Sequence, residues 1–385
     1  MIIPRYLLSH LKEELAPGRA YVIYGPRQVG KTTLVKQLIN SLSLKSKYIN
    51  ADELMYREAL SSQSKQMLGD VLGENELLII DEAQRIPDIG INLKILIDNF
   101  PQAYFLVTGS ASLTLANKIS EPLTGRKLTY NLFPVSFSEV QQTYGKLEAK
   151  DQLERWLIWG GYPAIVIEEN RNLRERLLSE LVGSYLYRDM LELEEIRRSE
   201  RIVDLLRLLA FQIGNEVSIN ELANSLNLNF QTVGKYLDLL EKVFVIFKVR
   251  GYSRNLRKEV TKNARYYFYD NGVRNSIIQN FNSLSNRNDV GQLWENYLVV
   301  ERLKANQATS HKCNYYFWRT YDQKEIDWLE EYGGKLQGYE FKWKADEIRK
   351  SIQNEFLTGY PGSQLSVIHQ NNFESFLDIT EPGLL

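Results

Sequence analysis

The sequence predicts an α/β protein of several domains, opening with a parallel sheet wrapped by helices and closing with a smaller α/β domain. Three observations predict it. Between residues 20 and 135, short apolar runs (AYVIY, KYIN, LLII, AYFLV, LTYNL) alternate with helical stretches such as TTLVKQLIN, the rhythm of strands covered on both faces. After Phe133-Pro134 that rhythm stops and helical spacing takes over. The length of 385 residues exceeds one ordinary core, at roughly 100 to 200 residues per domain.

The expected organisation is a first domain over 1–150, a helical connector over 151–200, a further domain over 201–280 and a closing α/β domain over 281–385. The connector is broken by Gly160-Gly161-Tyr162-Pro163, two glycines and a proline that make a turn. Residues 201 to 213 space apolar side chains along one helix face, and Ser218 is placed to cap the next helix. A third helix, NFQTVGKYLDLLEK, leads into the strand VFVIFKV, and ARYYFYD reads as its partner. Three helices feeding a strand pair predict a winged helix, with RGYSRNLRKEVTKN as the wing. From about 290 a helix, GQLWENYLVVERL, precedes strands NYYFWRT, EIDWLEE and LQGYEFKWK.

Composition excludes several classes. With 44% hydrophobic and 25% charged residues, the chain is expected to fold rather than remain disordered. Forty-seven basic against forty-eight acidic side chains give a net charge of -1, so no global field draws it to a polyanion and any such contact needs a local patch. A single cysteine, Cys313, excludes internal disulfides and a thiolate cage and suits a reducing compartment, the cytoplasm. The apolar runs Leu77 to Ile80 and Val243 to Phe247 fall far short of the roughly 20 residues of a membrane span, so no membrane crossing is expected. The opening MIIPRYLLSHLKEEL reads as an amphipathic helix rather than a secretion signal. His10, His311 and His369 are scattered and predict no histidine site.

Gly25, Pro26, Arg27, Gln28, Val29, Gly30, Lys31 and Thr32 spell GPRQVGKT, which fits G-x-x-x-x-G-K-[ST] with a strand before it and a helix after it. Glycines let the backbone curl until successive amides converge on phosphate oxygens, and the helix beginning near Lys31 adds the positive end of its dipole. The pattern therefore predicts a P-loop NTPase sheet that binds ATP and magnesium. Lys31 would face the β- and γ-phosphates, Thr32 would ligate magnesium and Thr33 would reach the α-phosphate.

LLIIDEAQ supplies the second element: a buried strand delivers Asp81 at its carboxyl end, placed to hold the magnesium shell. Glu82 would polarise the attacking water as general base. The strand AYFLVTGSAS ends in Thr108, Gly109 and Ser110, at the edge where parallel sheets place ligands. Ser110 or Thr108 would sense the γ-phosphate, or the segment is an ordinary turn.

GPRQVGKT, LLIIDEAQ, LVTGSAS and LTGRKLTYNLFPVSFSEV, with the WGGYP turn and YLYRDML, resemble the prokaryotic ATPases of the AAA superfamily whose C-terminal half is a domain of unknown function with a restriction-endonuclease-like core. The likeness spans nearly the whole chain. It implies that Arg126, after the sensing strand, is an arginine finger or sensor. A finger acting in a neighbouring subunit would need an oligomer, and the alternative is a surface ion pair.

Two further sites are expected. The wing carries Arg250, Arg254, Arg257, Lys258, Lys262 and Arg265 against one acid, Glu259, a composition suited to salt-sensitive attachment to DNA phosphates, with Tyr252 available to stack on a base. The third helix is balanced, Lys235 and Lys242 against Asp238 and Glu241, and the alternative is a lid or a protein-binding surface. At the C-terminus, Glu340 and Lys342 share a strand face, Asp327 lies on the neighbouring strand and Glu295 on the helix before. This is the Glu, Asp, Glu-x-Lys arrangement of PD-(D/E)XK nucleases, in which Asp327 and Glu340 would bind magnesium beside Lys342 and Glu295. The alternative is the polar face of an edge strand paired across to Asp327. The combined expectation is an ATPase coupling nucleotide state to a winged-helix and nuclease-like module on DNA, or else a nucleotide-dependent switch that binds a protein and cuts nothing.

Overall fold

A computed structural model of the chain describes residues 3–109, 122–193, 199–253 and 263–378, and of residues 184–193 and 199 the backbone alone. These residues form two compact units. The first is Met1–Val135 with the pieces Asp189–Glu195 and Lys242–Phe244. The second is Ser136–Arg188, Ile196–Glu241 and Val245–Leu385.

The first unit is built on β1 (Ala20–Tyr24), β2 (Ser46–Asn50), β3 (Leu77–Asp81), β4 (Tyr104–Gly109) and β5 (Lys127–Asn131). Their order across the sheet is β2-β3-β4-β1-β5, and every pairing is parallel. All five residues of β1 and of β3 are buried, which is why both read as unbroken apolar runs rather than as alternating ones. The expected amphipathic opening is a helix, Tyr6–Glu14, and the segment after the glycine loop is a helix, Lys31–Ser41. A ligand site is placed at the carboxyl edge of such a sheet, where β1, β3 and β4 end side by side.

The second unit carries a seven-stranded sheet of β6 (Glu216–Val217), β7 (Ile246–Gly251), β8 (Ala264–Phe268), β9 (Asn314–Arg319), β10 (Glu325–Tyr332), β11 (Lys335–Phe341) and β12 (Gln364–Ile368). Its order is β12-β11-β10-β9-β7-β8-β6. The three expected helices fall at Ser199–Phe211, Ile219–Leu226 and Phe230–Lys242, with Ser218 accepting from the Glu221 amide as cap. They are followed by β7 and β8, which pair antiparallel, and β8 also pairs with the two-residue β6.

The sheet of this unit runs across the boundary expected at 280. β7 pairs in parallel with β9 through Arg250↔Tyr316 and Gly251↔Phe317, and the Tyr252 amide donates to Phe317 O at 2.7 Å. The two expected domains share one ladder.

The Gly160-Gly161 turn is a fixed joint in the same unit. Gly160 has φ +75°, and a Cβ there would lie 2.1 Å from Asp270 Oδ1. Asp270 Oδ2 accepts from the Gly161 amide at 2.7 Å while Oδ1 caps the helix Asn271–Ile277 through the Val273 amide at 3.0 Å. Only glycine permits that approach.

Candidate functional site

β1 ends at Tyr24 and the chain turns through residues 25–30 into the helix Lys31–Ser41. Two positions demand glycine. A Cβ on Gly25 would lie 2.3 Å from Leu132 O, and Gly30, at the helix N-cap, has φ +96°. Gln28 is also left-handed, at φ 61°. Pro26 and Val29 are buried, Arg27 is half-buried, and Gln28 and Thr33 are exposed.

Lys31 is 5% exposed. Its Nζ donates to Gly25 O at 2.9 Å and Pro26 O at 2.8 Å, folding the ammonium over the lip of the loop. Arg5, which sequence reading missed, braces the loop: Nη1 donates to Val29 O at 2.8 Å and Nη2 to Phe133 O at 2.5 Å.

Asp81 is buried at the end of β3. Its Oδ2 accepts from Thr32 Oγ1 at 2.7 Å and from Tyr48 OH at 2.6 Å, and its Oδ1 accepts from Thr108 Oγ1. Because β4 lies between β1 and β3, Thr108 arrives beside Asp81 from the neighbouring strand. Burial, then the Asp81 hydrogen bond, raises the pKa of the Tyr48 hydroxyl and keeps it a neutral donor.

Glu82 follows in left-handed backbone, φ 57°, ψ 39°, a strain that accumulates at functional sites. Its amide donates to Thr108 Oγ1 at 3.2 Å, and its carboxylate accepts from Gln84 Nε2. The loop, Lys31, Thr32, Asp81 and Glu82 thus meet at one sheet edge. A glycine turn at a helix N-terminus, a buried ammonium and a hydroxyl joined to a carboxylate fit a triphosphate and a hard divalent cation such as magnesium.

Arg126 stands elsewhere. The Ala20 amide donates to Arg126 O, and β5 pairs Lys127 with Ala20, which sets Arg126 at the amino edge of the sheet, opposite the loop. It is partly exposed and forms an ion pair with Asp98 at 2.6 Å. In its own chain Arg126 thus stands away from the loop, in the surface ion pair that the sequence left as the alternative. Ser110 lies outside the described residues.

The C-terminal carboxylates do come together. β10 and β11 are antiparallel, and the pairing Trp328↔Tyr339 sets Asp327 across from Glu340. Lys342 Nζ donates to Glu340 Oε1 at 2.8 Å, and the Phe341 amide donates to Asp327 Oδ2 at 2.9 Å. Glu295, from the helix Val290–Ala308, accepts from Tyr267 OH at 2.7 Å.

Among them lies Arg265, 3% exposed. Its Nη1 reaches Glu295 Oε1 at 3.3 Å and Asp327 Oδ1 at 3.4 Å, and its Nη2 reaches Glu325 Oε2 at 2.8 Å. Burial works against its charge, but Tyr267, Glu295, Asp327 and Glu325 outweigh burial and raise its pKa. Glu295 is pushed up to about 8, by burial and then by Asp327. Glu340 is pushed up to about 7 by the same two causes, and its Oε2 is buried with no partner among the described residues.

Both Asp327 oxygens are engaged, one by Phe341 and one by Arg265. Magnesium is held by one or two carboxylates with water completing its shell, and here the Arg265 guanidinium already bridges two of the expected ligands, Glu295 and Asp327. In this arrangement an arginine holds the place expected for the second metal.

Two wing assignments are corrected by the same geometry. Arg265 is buried in that cluster rather than offered to phosphates. Tyr252 packs edge-on against Tyr316 and Tyr360, 5.2 and 5.4 Å between centroids, on the cluster of Trp318, Ile326, Leu329 and Phe356. Arg250 is exposed, and Arg254, Arg257, Lys258 and Lys262 lie outside the described residues.

His311, Cys313 and Glu330 bring ligand atoms within 4.8 Å of one another. Arg302 already binds both Glu330 oxygens, at 2.8 and 2.6 Å, and the Trp328 indole donates at 3.0 Å. That group is an ion pair rather than a metal site. No helix among the described residues is long and apolar enough to cross a membrane.

With this geometry in place, the chain can be set beside known proteins. Residues 17–141, which contain the loop and Asp81, match a family described as AAA domain. Residues 150–284 and 290–375 match two domains of unknown function, DUF8612 and DUF4143. The first unit is thus similar to AAA domains over residues 17–141, and its all-parallel sheet is consistent with a P-loop NTPase.

The relatives include the uncharacterized protein Rv2008c of Mycobacterium tuberculosis, 28% identical over 348 residues, covering 89% of this chain and 74% of that protein. The uncharacterized protein MJ1544 of Methanocaldococcus jannaschii is 26% identical, covering 82% of this chain and 73% of its own. A solved structure, the Signal Transduction ATPase with Numerous Domains (STAND) protein with a tetratricopeptide repeat sensor PH0952 from Pyrococcus horikoshii, overlays with TM-score 0.31 at 12% identity. The overlay covers 81% of this chain and 47% of that one, so this chain spans about half its length.

Proposed function

We propose that this protein binds ATP with magnesium in the loop Gly25 to Thr32 and hydrolyses it. The observation that carries the reading is the 2.7 Å hydrogen bond between Thr32 and Asp81, beside the Lys31 ammonium. In this reading Lys31 leaves the Gly25 and Pro26 carbonyls for the β- and γ-phosphates, where its charge offsets the negative charge that builds up in phosphoryl transfer. Thr32 and Asp81 hold the metal shell, and magnesium, when bound, supplies further neutralisation of the phosphate oxygens. Glu82 takes the proton of the attacking water, with Gln84 fixing its carboxylate and Thr108 its backbone. The test is magnesium-dependent ATP turnover by the parent and by Lys31→Ala. Turnover in the parent and none in the variant supports the reading, and equal turnover sinks it.

We further propose that nucleotide state operates the second unit as a binding module rather than as a nuclease. Arg265 among the carboxylates supports this reading, because it supplies internally the charge a metal would bring. Attachment to DNA is a second reading, favoured by the exposed Arg250 and the basic residues at 254, 257, 258 and 262. DNA-stimulated turnover and salt-sensitive DNA binding would favour it. DNA cleavage dependent on magnesium and on Asp327 would overturn the non-cutting reading.

A further inference from the structure

A cleft on the second unit, about 300 Å³ in volume, is walled by Arg155, Arg171, Arg174, Trp159 and Phe281, with Glu154 at its rim. That size lies at the lower end of small-molecule sites, roughly 300 to 1,000 Å³. Its floor is aromatic: Trp159 stacks on Phe281 with centroids 4.7 Å apart and planes 5° from parallel. The Arg174 and Arg171 guanidiniums stand over the Trp159 ring at 5.0 and 6.0 Å.

Among the described residues the hydrogen bonds of the three cations run to backbone carbonyls. Arg155 Nη2 donates to Val166 O at 2.6 Å and Glu168 O at 2.7 Å, Arg174 Nη2 to Glu168 O at 2.6 Å, and Arg171 Nη2 to Phe281 O at 3.2 Å. No described carboxylate forms an ion pair with any of them. The Glu154 carboxylate accepts from the Leu284 amide, and that of Glu168 from the Asn170 amide. The cleft lining itself carries three positive charges against one negative, Glu154, with Glu168 and Glu169 standing outside it. Arg174 is 7% exposed, and buried cations are ordinarily paired. Burial lowers the pKa of Arg155 and of Arg174, and Arg155 lowers that of Arg174 further, against the opposing pull of Glu169 and Glu168 on Arg155 and of Glu168 on Arg174. Each guanidinium keeps N–H groups beyond those spent on carbonyls.

We propose that this cleft binds a small organic molecule bearing a phosphate or a carboxylate. The anion is held by Arg155, Arg171 and Arg174, and the body of the molecule lies against the aromatic floor. Planar guanidiniums suit both oxyanions, and their fork geometry favours paired hydrogen bonds.

The test is calorimetric titration of the full chain with glycerol 3-phosphate and with citrate, glycerol serving as the neutral control. One of the two anions should bind, glycerol should not, and the affinity should fall as salt rises. Arg171 is exposed and gives one hydrogen bond to the protein, so Arg171→Glu should stay folded and bind at least tenfold more weakly. Arg155→Gln, with its fold confirmed by circular dichroism, should weaken binding similarly. Binding of neither anion up to about 10 mM, or binding unchanged in both folded variants, would overturn the proposal. Whichever anion binds identifies the ligand chemistry. Because Lys31→Ala leaves this cleft intact, anion binding should persist in that variant whatever becomes of ATP turnover.

Discussion

Thr32 and Asp81 stand 49 positions apart in the chain and 2.7 Å apart in the fold. One opens the helix after β1 and the other closes β3, and β4 separates the two strands. The hydroxyl and the carboxylate are therefore set by sheet order rather than by local sequence. Thr32→Val removes the hydroxyl while leaving Tyr48 and Thr108 on Asp81. Magnesium-dependent ATP affinity should fall about tenfold, the loss of one charge-assisted hydrogen bond of about 1.5 kcal/mol, with little change in melting temperature. Titration with ATP in the presence and absence of magnesium checks this.

Arg5 ties residue 29 of the loop to Phe133 beyond β5 by two side-chain hydrogen bonds. Arg5→Ala should leave the fold intact but loosen the loop. ATP affinity should drop by about tenfold, from roughly 1 to 2 kcal/mol of lost ordering, while Arg5→Lys, which retains only one point of attachment, should fall between. Calorimetry on the three proteins separates these outcomes.

Arg265 serves as the internal cation of the carboxylate cluster, so Arg265→Met should expose a divalent-cation site. Manganese titration followed by electron paramagnetic resonance, without nucleotide, should show one more bound ion in Arg265→Met than in the parent. The extra ion should disappear in Arg265→Met/Asp327→Asn. An equal number of bound ions in the parent and a folded Arg265→Met would count against this role.

Asp270, buried in the joint with Gly161, is pushed up to about 6 by burial, against the pull of the Gly161 and Val273 amides. The group is raised above its unfolded value near 3.8. Its contribution is therefore full below that value and is lost as pH rises through about 6. The stability difference between the parent and Asp270→Asn should move against the parent by about 2 to 3 kcal/mol between pH 4 and pH 8, since each tenfold change in proton affinity on folding is worth about 1.36 kcal/mol. Urea unfolding across that range measures it.

Much of the first unit was legible because its signals are local. Strands covered on both faces read as apolar runs, and the phosphate loop is one contiguous string between strand and helix. Asp81 and Glu82 follow from the same logic, a strand end on the ligand edge.

What depends on distant pairing was not legible. Arg5 and Tyr48 reach the site from segments that carry no motif, and only the fold brings them in. Arg126 directly precedes a parallel strand, and a residue there sits on the edge away from the ligand, a signal that argues against a sensor in its own site. The joining of β7 to β9, and the insertion of Arg265 among the carboxylates, rest on pairing between segments about sixty residues apart. Hydrophobic periodicity gives no register across such a gap.

Glu82→Gln offers the most direct measurement, because it keeps the loop, Lys31, Thr32 and Asp81 and removes only the base. ATP binding and phosphate release should be recorded on the same preparation with magnesium. The expected result is ATP affinity within a few-fold of the parent and turnover reduced by at least a hundredfold, the usual range for a lost general base being about 10² to 10⁴. Undiminished turnover, or loss of ATP binding in a folded variant, would contradict the assignment of the site.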